Sequence, residues 1–416
     1  MTGIRLGISG LGSAAGFMIR AATEDPRIIL AAAADPLQHP REAFVRDFGA
    51  VGHESFVDLC KDPTLEAIYI ASPHEFHAEQ AILALEHGKH VIVEKPLALA
   101  LADCDDVIRA AAKSGKIVIV GHTHAFDPSI MKIRELALGG EFGRLGMILT
   151  FNYTDFLYRP RRPEELVTAR GGGIAFNQIS HQIDMVRAVA GVNVRSVRAN
   201  VGRLDPSRPT EGNSTVFLDL DDGAAASLIY SGYDFFDSDE LHGWIAESGV
   251  EKPTEGHSAS KRLLQTDTRP ERERRHLLAY GSRTFSSTKM HLPHFGTFIA
   301  SFERADVRVT ADGIAVFDAE GKRDIPLLTT STMPGHRNVL NALWAAAREG
   351  QPCIHDASWG KTTLEIILGV LASAQERCEI GVNPMQSALR HDSSASKTNS
   401  VPQASHRRPL AQSAFP

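Results

Sequence analysis

The chain has few cysteines: four in 416 residues (Cys60, Cys104, Cys353 and Cys378), far apart and with no CxxC pair. That spacing excludes a disulfide framework and predicts reduced, mostly buried thiols, as in a cytoplasmic protein. A basic excess is also absent, since 44 Lys+Arg face 50 Asp+Glu for a formal charge of −6. General nucleic-acid binding depends on a Lys/Arg-rich surface, so that class of partner is excluded, while a local basic pocket is not. No apolar run reaches the ~18 residues of a membrane span, which excludes a membrane helix. The amino terminus shows none of the three parts of a signal peptide. There is no internal repeat. A soluble, cytoplasmic protein is expected.

What is present suits a globular enzyme. Hydrophobic residues make up 43% of the chain, enough for a sizeable core, and the length suggests two or three domains. Short apolar runs at Ile4–Ser9, Ile28–Ala34, Ala67–Ser72, His90–Val93 and Ile117–Gly121 alternate with segments of helical spacing such as Ala78, Ile82 and Leu85. Strands alternating with helices predict a doubly wound, mostly parallel sheet covered on both faces. After Gly121 come a helical segment (128–138) and clustered strands at 147–153, 194–201, 214–219 and 224–230, with a helical pattern (176–189) between the first two. They predict a second, α+β domain with a large, mostly antiparallel sheet. Residues 237–275 are polar and proline-broken and read as a long excursion. Helical patterns return at 337–348 and 358–377. The expected divisions are a dinucleotide-binding domain over 1–125, a substrate and oligomerisation domain over 126–385, and a disordered tail over 386–416.

The strongest local signal is Gly10-Leu11-Gly12-Ser13-Ala14-Ala15, which follows the first strand and opens a helix, with Asp35 at the end of the next strand. This is the context a Rossmann fingerprint requires. Gly10 permits the turn, Gly12 and Ser13 let a pyrophosphate approach the helix N-terminus, and Ala15 keeps helix and sheet close. Asp35 would accept the ribose hydroxyls and repel a 2′-phosphate, so NAD is expected over NADP; Arg41 is the residue that could meet that phosphate. Later, His90-Val91-Ile92-Val93 leads into Glu94-Lys95-Pro96. Lys95, beyond the carboxyl end of a strand, lies where a nicotinamide would sit and could stabilise alkoxide character on a substrate. His122 and His124, two apart on a presumed strand, could bind a metal, but no convincing third ligand accompanies them; no metal is expected, and one of the two is expected to line the pocket.

Ala71-Ser72-Pro73-His74-Glu75-Phe76-His77, then Ala84 to His90 through Glu94-Lys95-Pro96, resembles the Gfo/Idh/MocA oxidoreductase family. The similarity extends to Phe126-Asp127-Pro128, Gly139–Leu145 and Gly171–Asp184. It implies a Rossmann domain joined to an open-sheet α/β domain, with substrate between them and a homodimer or homotetramer formed through the sheet. It also implies that Ser72, Pro73, His77, Glu94 and Lys95 serve the cofactor. The family carries an Asp, a His four residues later and a further Asp; the corresponding residues here are Asn177, His181 and Asp184. Four residues apart on a helix share a face, so Asn177 and His181 should meet in one cleft. His181, with an intrinsic pKa of about 6.5, suits the hydroxyl proton. Asn177 departs from the pattern: an amide positions substrate but takes no proton.

Arg159, Arg161 and Arg162, fixed between prolines, would offer paired donors to carboxylates, with Tyr153 and His124 beside them in the substrate pocket. This region, together with Gly232–Leu241 and Ser301–Arg304, looks like the branch acting on phthalate-derived dihydrodiols. That likeness implies oxidation of a cis-dihydroxycyclohexadiene dicarboxylate by NAD to a catechol. Two alternatives stay open: a sugar or inositol dehydrogenase, and a non-catalytic dinucleotide-dependent sensor.

Overall fold

The computed structural model describes residues 3–282 and 291–382, so the expected tail over 386–416 lies outside the described residues. Six strands, β1 (Ile4–Ser9), β2 (Ile28–Ala34), β3 (Val51–His53), β4 (Ala67–Ile70), β5 (His90–Glu94) and β6 (Val118–Gly121), form a sheet in the order β3-β2-β1-β4-β5-β6. All pairings are parallel. Parallel neighbours need crossovers, supplied by α1 (Ser13–Thr23), α2 (Gln38–Phe48), α3 (Phe56–Lys61), α4 (His77–Glu86) and α5 (Leu101–Ser114). Covered on both faces, the strands read as nearly continuous apolar runs; Ile68 and Ile92 are fully buried.

Helix α6 (Pro128–Gly139) leads to a second sheet. Its strands are β7 (Leu145–Tyr153), β8 (Val194–Gly202), β9 (Asn213–Leu220), β10 (Ala225–Ser231), β11 (Thr297–Phe302), β12 (Ala305–Thr310), β13 (Gly313–Asp318), β14 (Gly321–Pro326) and β15 (Ile380–Gly381). They run in the order β14-β13-β12-β11-β7-β10-β9-β8-β15 and are antiparallel except for β7 with β10. The expected fold class is therefore observed. Strands β11 to β14 were not foreseen from the sequence: each is only six residues long, and β14 is largely exposed. One face of the sheet is covered by α6, α7 (Ser180–Ala190) and α11 (Ala357–Glu376), and the excursion carries α8 (Ala259–Thr266) and α9 (Glu271–His276). Cys60 and Cys104 are buried as expected, but Cys378 is exposed.

Two helices cross the expected boundary at 125/126: α11 lies against α5, and the helix before it packs on the parallel-sheet side as well. Helix α10 (Pro334–Glu349) buries Val339, Leu340, Leu343 and Trp344 in one cluster with Met18, Ile19 and Phe126 beside the parallel sheet. The carboxyl-terminal part returns to cover α1. The two sheets thus belong to one compact unit. Leu340→Ala should cost about 2–5 kcal/mol of stability, measured by urea unfolding.

Candidate active site

The carboxyl ends of the parallel strands share one edge, where Glu94 ends β5 and Gly10, Asp35, Ser72, Pro73, Lys95 and His122 lie beyond the strands. In such sheets ligands lie beyond this edge, at the switch between β1 and β4. Gly10 has φ 82°, and a Cβ on it would stand 2.7 Å from the Ala71 carbonyl oxygen, so only glycine turns this closely. Gly12 precedes α1 without a side-chain cap, and the space its Cβ would fill is open. The N–H groups of Ser13, Ala14 and Ala15 are left for an anion, while the Gly16 N–H bonds the Gly12 carbonyl at 3.3 Å. Ala15 is buried beneath the turn, and the Ser72 hydroxyl oxygen is buried without a hydrogen-bond partner. This open cradle and its unused donors fit a dinucleotide.

Asp35 accepts from the Leu11 N–H at 2.7 Å and the Leu37 N–H at 2.8 Å, which fixes its carboxylate beside the glycine turn. Arg41 is engaged elsewhere: it donates to the carbonyls of Asp35 (2.7 Å) and Pro36 (3.1 Å) and pairs with Glu54 at 3.0 Å. His77, expected at the cofactor, is corrected. It is fully buried, with its ring nitrogens on the carbonyl oxygens of Pro96 (2.7 Å) and Ser72 (2.9 Å), and it fastens the two strand-end corners together. Neither nitrogen is left for a ligand. Glu94 accepts the Tyr69 hydroxyl at 2.6 Å.

Lys95 crosses to the second half of the chain, donating from Nζ to the main-chain carbonyl of Asn177 at 2.6 Å. Burial lowers its pKa to about 8, with Glu94 opposing the shift and Arg161 adding to it. His181 lies one turn further along. Burial, aided by the charges of Lys95 and His124, holds its imidazole well below the ordinary value, so the ring is a neutral proton acceptor. Its Nδ1 is buried without a partner. The ring centroid lies 4.8 Å from that of His124, 5.0 Å from Phe295 and 6.3 Å from His122. These two histidines are not on a strand, since β6 ends at Gly121 and a 3-10 turn spans Thr123–Phe126. Among the described residues no group of three or more His, Cys, Asp or Glu could hold a metal.

Asn177 is the second correction. It stands in a π-helical turn, Ala175–Ile179, not on the regular helix that the spacing suggested. Its amide donates to the carbonyls of Gly171 (3.1 Å) and Gly173 (2.8 Å), so both N–H groups are spent holding the glycine segment. Asn177 is a positioning residue whose backbone, not its side-chain amide, meets the lysine. Asp184 is buried, accepts from Trp359 Nε1 at 2.5 Å and lies 3.4 Å from His355 Nε2. Burial raises its pKa, but His122 and His355 outweigh this and hold it at about 2.

Tyr153 is a third correction. Alternation along β7 puts Thr150 and Asn152 on the covered face and Tyr153 on the other, where its ring meets Phe236 at 5.6 Å. The three arginines also separate. Arg159 pairs with Asp155 at 2.6 Å and Glu247 at 3.3 Å, and Arg162 lies 3.8 Å from both Glu75 and Glu165. The Arg161 guanidinium has no ion pair among the described residues; it donates to the Phe156 carbonyl and stacks 3.8 Å over the Phe156 ring. Glu247 and Phe295 were missed. Glu247 accepts from Asn152 at 2.9 Å and its charge reaches His124, yet in sequence it is one acid in a polar excursion. Phe295, between His294 and Gly296, lies in the loop just before β11 and belongs to no strand or helix pattern that would mark it.

The profile described as the oxidoreductase family's NAD-binding Rossmann fold matches residues 4–122, and that of the GFO/IDH/MocA C-terminal domain matches 130–241. A 1-carboxy-3-chloro-3,4-dihydroxycyclohexa-1,5-diene dehydrogenase from Comamonas testosteroni is 38% identical over 88% of this chain and 94% of its own length. The chain belongs to the Gfo/Idh/MocA oxidoreductase family. As a Gfo/Idh/MocA member it is an NAD-dependent dehydrogenase. A crystal structure from Bordetella bronchiseptica RB50, assigned as a dehydrogenase, superposes with a TM-score of 0.86 at 40% identity, covering 91% of this chain and 100% of that one. The NAD-dependent scyllo-inositol 2-dehydrogenase of Bacillus subtilis is 27% identical over 54% of this chain and 66% of its own.

The Arg41–Glu54 pair sets an expectation for cofactor choice. Titration of the parent should show NADH binding at least about tenfold tighter than NADPH, one ion pair's worth of discrimination. Glu54→Gln, which leaves Arg41 its two carbonyl bonds but removes its ion pair, should narrow that ratio, and an unchanged ratio would clear Arg41 of any part in it.

Proposed function

We propose that the chain oxidises a cyclic cis-dihydrodiol that carries a ring carboxylate, giving a catechol. The observation that carries this reading is the convergence of the Lys95 ammonium, the neutral His181 ring and an Arg161 guanidinium without a carboxylate partner. NAD, when bound, supplies the acceptor for the carbinol hydride. Lys95 donates to the reacting oxygen and stabilises its developing negative charge. His181 takes the hydroxyl proton, for which its neutral ring is ready. Arg161 holds the carboxylate with its remaining donors, and Phe295 lines the apolar side of the ring. The substrate of the Comamonas relative, a chlorinated dihydroxycyclohexadiene with one ring carboxylate, has this chemistry.

The finer reading, 4,5-dihydro-4,5-dihydroxyphthalate, asks for two carboxylate sites. With Arg159 and Arg162 already ion-paired, a monocarboxylate is favoured over it. A sugar or inositol offers no anion for Arg161 at all.

The outer face of the second sheet leaves Met147, Phe217 and Phe317 exposed. An apolar sheet face of this kind is normally covered, and two copies joined through it would do so. Light scattering should give two or four chains per particle; a monomer at micromolar concentration would remove that expectation.

For the reaction, Lys95→Met should lower kcat by about 10²–10³-fold with cis-3,4-dihydroxycyclohexa-1,5-diene-1-carboxylate. Arg161→Ala should raise KM for this diol by at least about tenfold while leaving KM for NAD nearly unchanged. Steady-state NADH formation reads both. Turnover of polyols in place of the diol would overturn the assignment.

A further inference from the structure

Oxidising one carbinol of a cis-diol does not complete a catechol. The neighbouring carbon still bears a hydrogen and a hydroxyl. For the ring to become aromatic, that C–H bond must break, its electron pair must enter the ring, and the new ketone oxygen must gain a proton. This second step involves no oxidant, but it needs one base and one acid. His181, having taken the hydroxyl proton, can return it to the same oxygen. It cannot also take the proton from carbon.

Beside it stands a second imidazole built for that work. The His124 Nδ1 lies 2.8 Å from Asp127 Oδ2, and Asp127 is 2% exposed. An ionised Asp127 accepts the Nδ1–H, which fixes the tautomer and leaves Nε2 as the basic nitrogen. Two features of the fold give way to this pair. Asp127 occupies the N-cap of α6, where an aspartate ordinarily caps its own helix, yet its side chain makes no cap bond and turns to His124. Helix α10 meets the same carboxylate with Gly335, where any Cβ would collide with Asp127 Oδ1.

We propose that His124, clamped by Asp127, is the base that removes the second ring proton, while His181 serves the hydroxyl. This rests on the dihydrodiol reading above. The proton taken by His124 is the one the overall reaction releases.

The surroundings agree. Around His124 stand Asp127, Glu94 and Lys95 from the strand ends, His181 from α7, Glu247 and His294 from the excursion and its return, and His336 from α10. Burial opposes a charge on His124, but Asp127 and then Glu247 outweigh it and raise its pKa. Burial lowers the other three imidazoles, His181, His294 and His336, so they stay neutral beside it. A raised pKa makes a stronger base for carbon and makes the neutral, working form appear only as pH rises.

Single-turnover mixing with cis-3,4-dihydroxycyclohexa-1,5-diene-1-carboxylate tests this by following NADH and catechol separately. In the parent the two should appear together. In His124→Gln, catechol should lag NADH by about 10²-fold, the usual scale of a lost general base. In Asp127→Asn the lag should persist, and the pH at which catechol formation rises should move lower. Proton NMR of the protein without cofactor should show the His124 titration falling below the parent's in Asp127→Asn. NADH and catechol remaining coupled in His124→Gln, whether at the parent rate or equally slowed, would overturn the proposal. No NADH from the parent would instead overturn the dihydrodiol reading, and this proposal with it.

Discussion

An ammonium withdrawn from water has to be satisfied, and Lys95 is satisfied from the other half of the chain. Its hydrogen bond to the Asn177 carbonyl joins the edge of the parallel sheet to the turn that enters α7. Partial burial without such an acceptor would push the amine toward its neutral form. Glu94 and Glu247 oppose the lowering that burial causes, and the contact places the amine one turn from the His181 imidazole. Much of the site's geometry follows from it. The π-helical turn presents the carbonyl, the Asn177 amide holds the glycine segment behind that turn, and His77 fastens the corner from which Lys95 departs.

The electrostatics of the cleft divide its titratable groups by role. Lys95 and Arg161 place positive charge where an alkoxide and a carboxylate would sit. Burial, with the charge of Lys95, keeps His181 neutral. Glu247 balances the cluster through Arg159, so most of the arginine charge is internal. Arg161 is the exception, and the specificity of the proposed reaction turns on that exception.

Packing explains why the two sheets act as one body. Helix α10 leaves the second sheet to bury Leu340 and Leu343 against α1, and α11 lies between α5 and β8. A site built between two sheets keeps its spacing only if such crossings fix them together, since hydride and proton transfers tolerate little displacement of the reacting groups.

Much was legible in the sequence because it depends on neighbours along the chain. Apolar periodicity marked the five longer parallel strands, and the glycine turn with Asp35 marked the dinucleotide edge. The Glu-Lys-Pro corner placed Lys95. Residues whose roles depend on distant partners were not legible: His77 as a structural staple, Tyr153 on the opposite face, Arg159 and Arg162 already paired, and Glu247 and Phe295 brought in from a long excursion. Local sequence sets backbone conformation and therefore which strand end a residue follows. Only the tertiary fold decides which charges neutralise each other, because an ion pair is set by distance in space, and distance in space is not a property of the sequence.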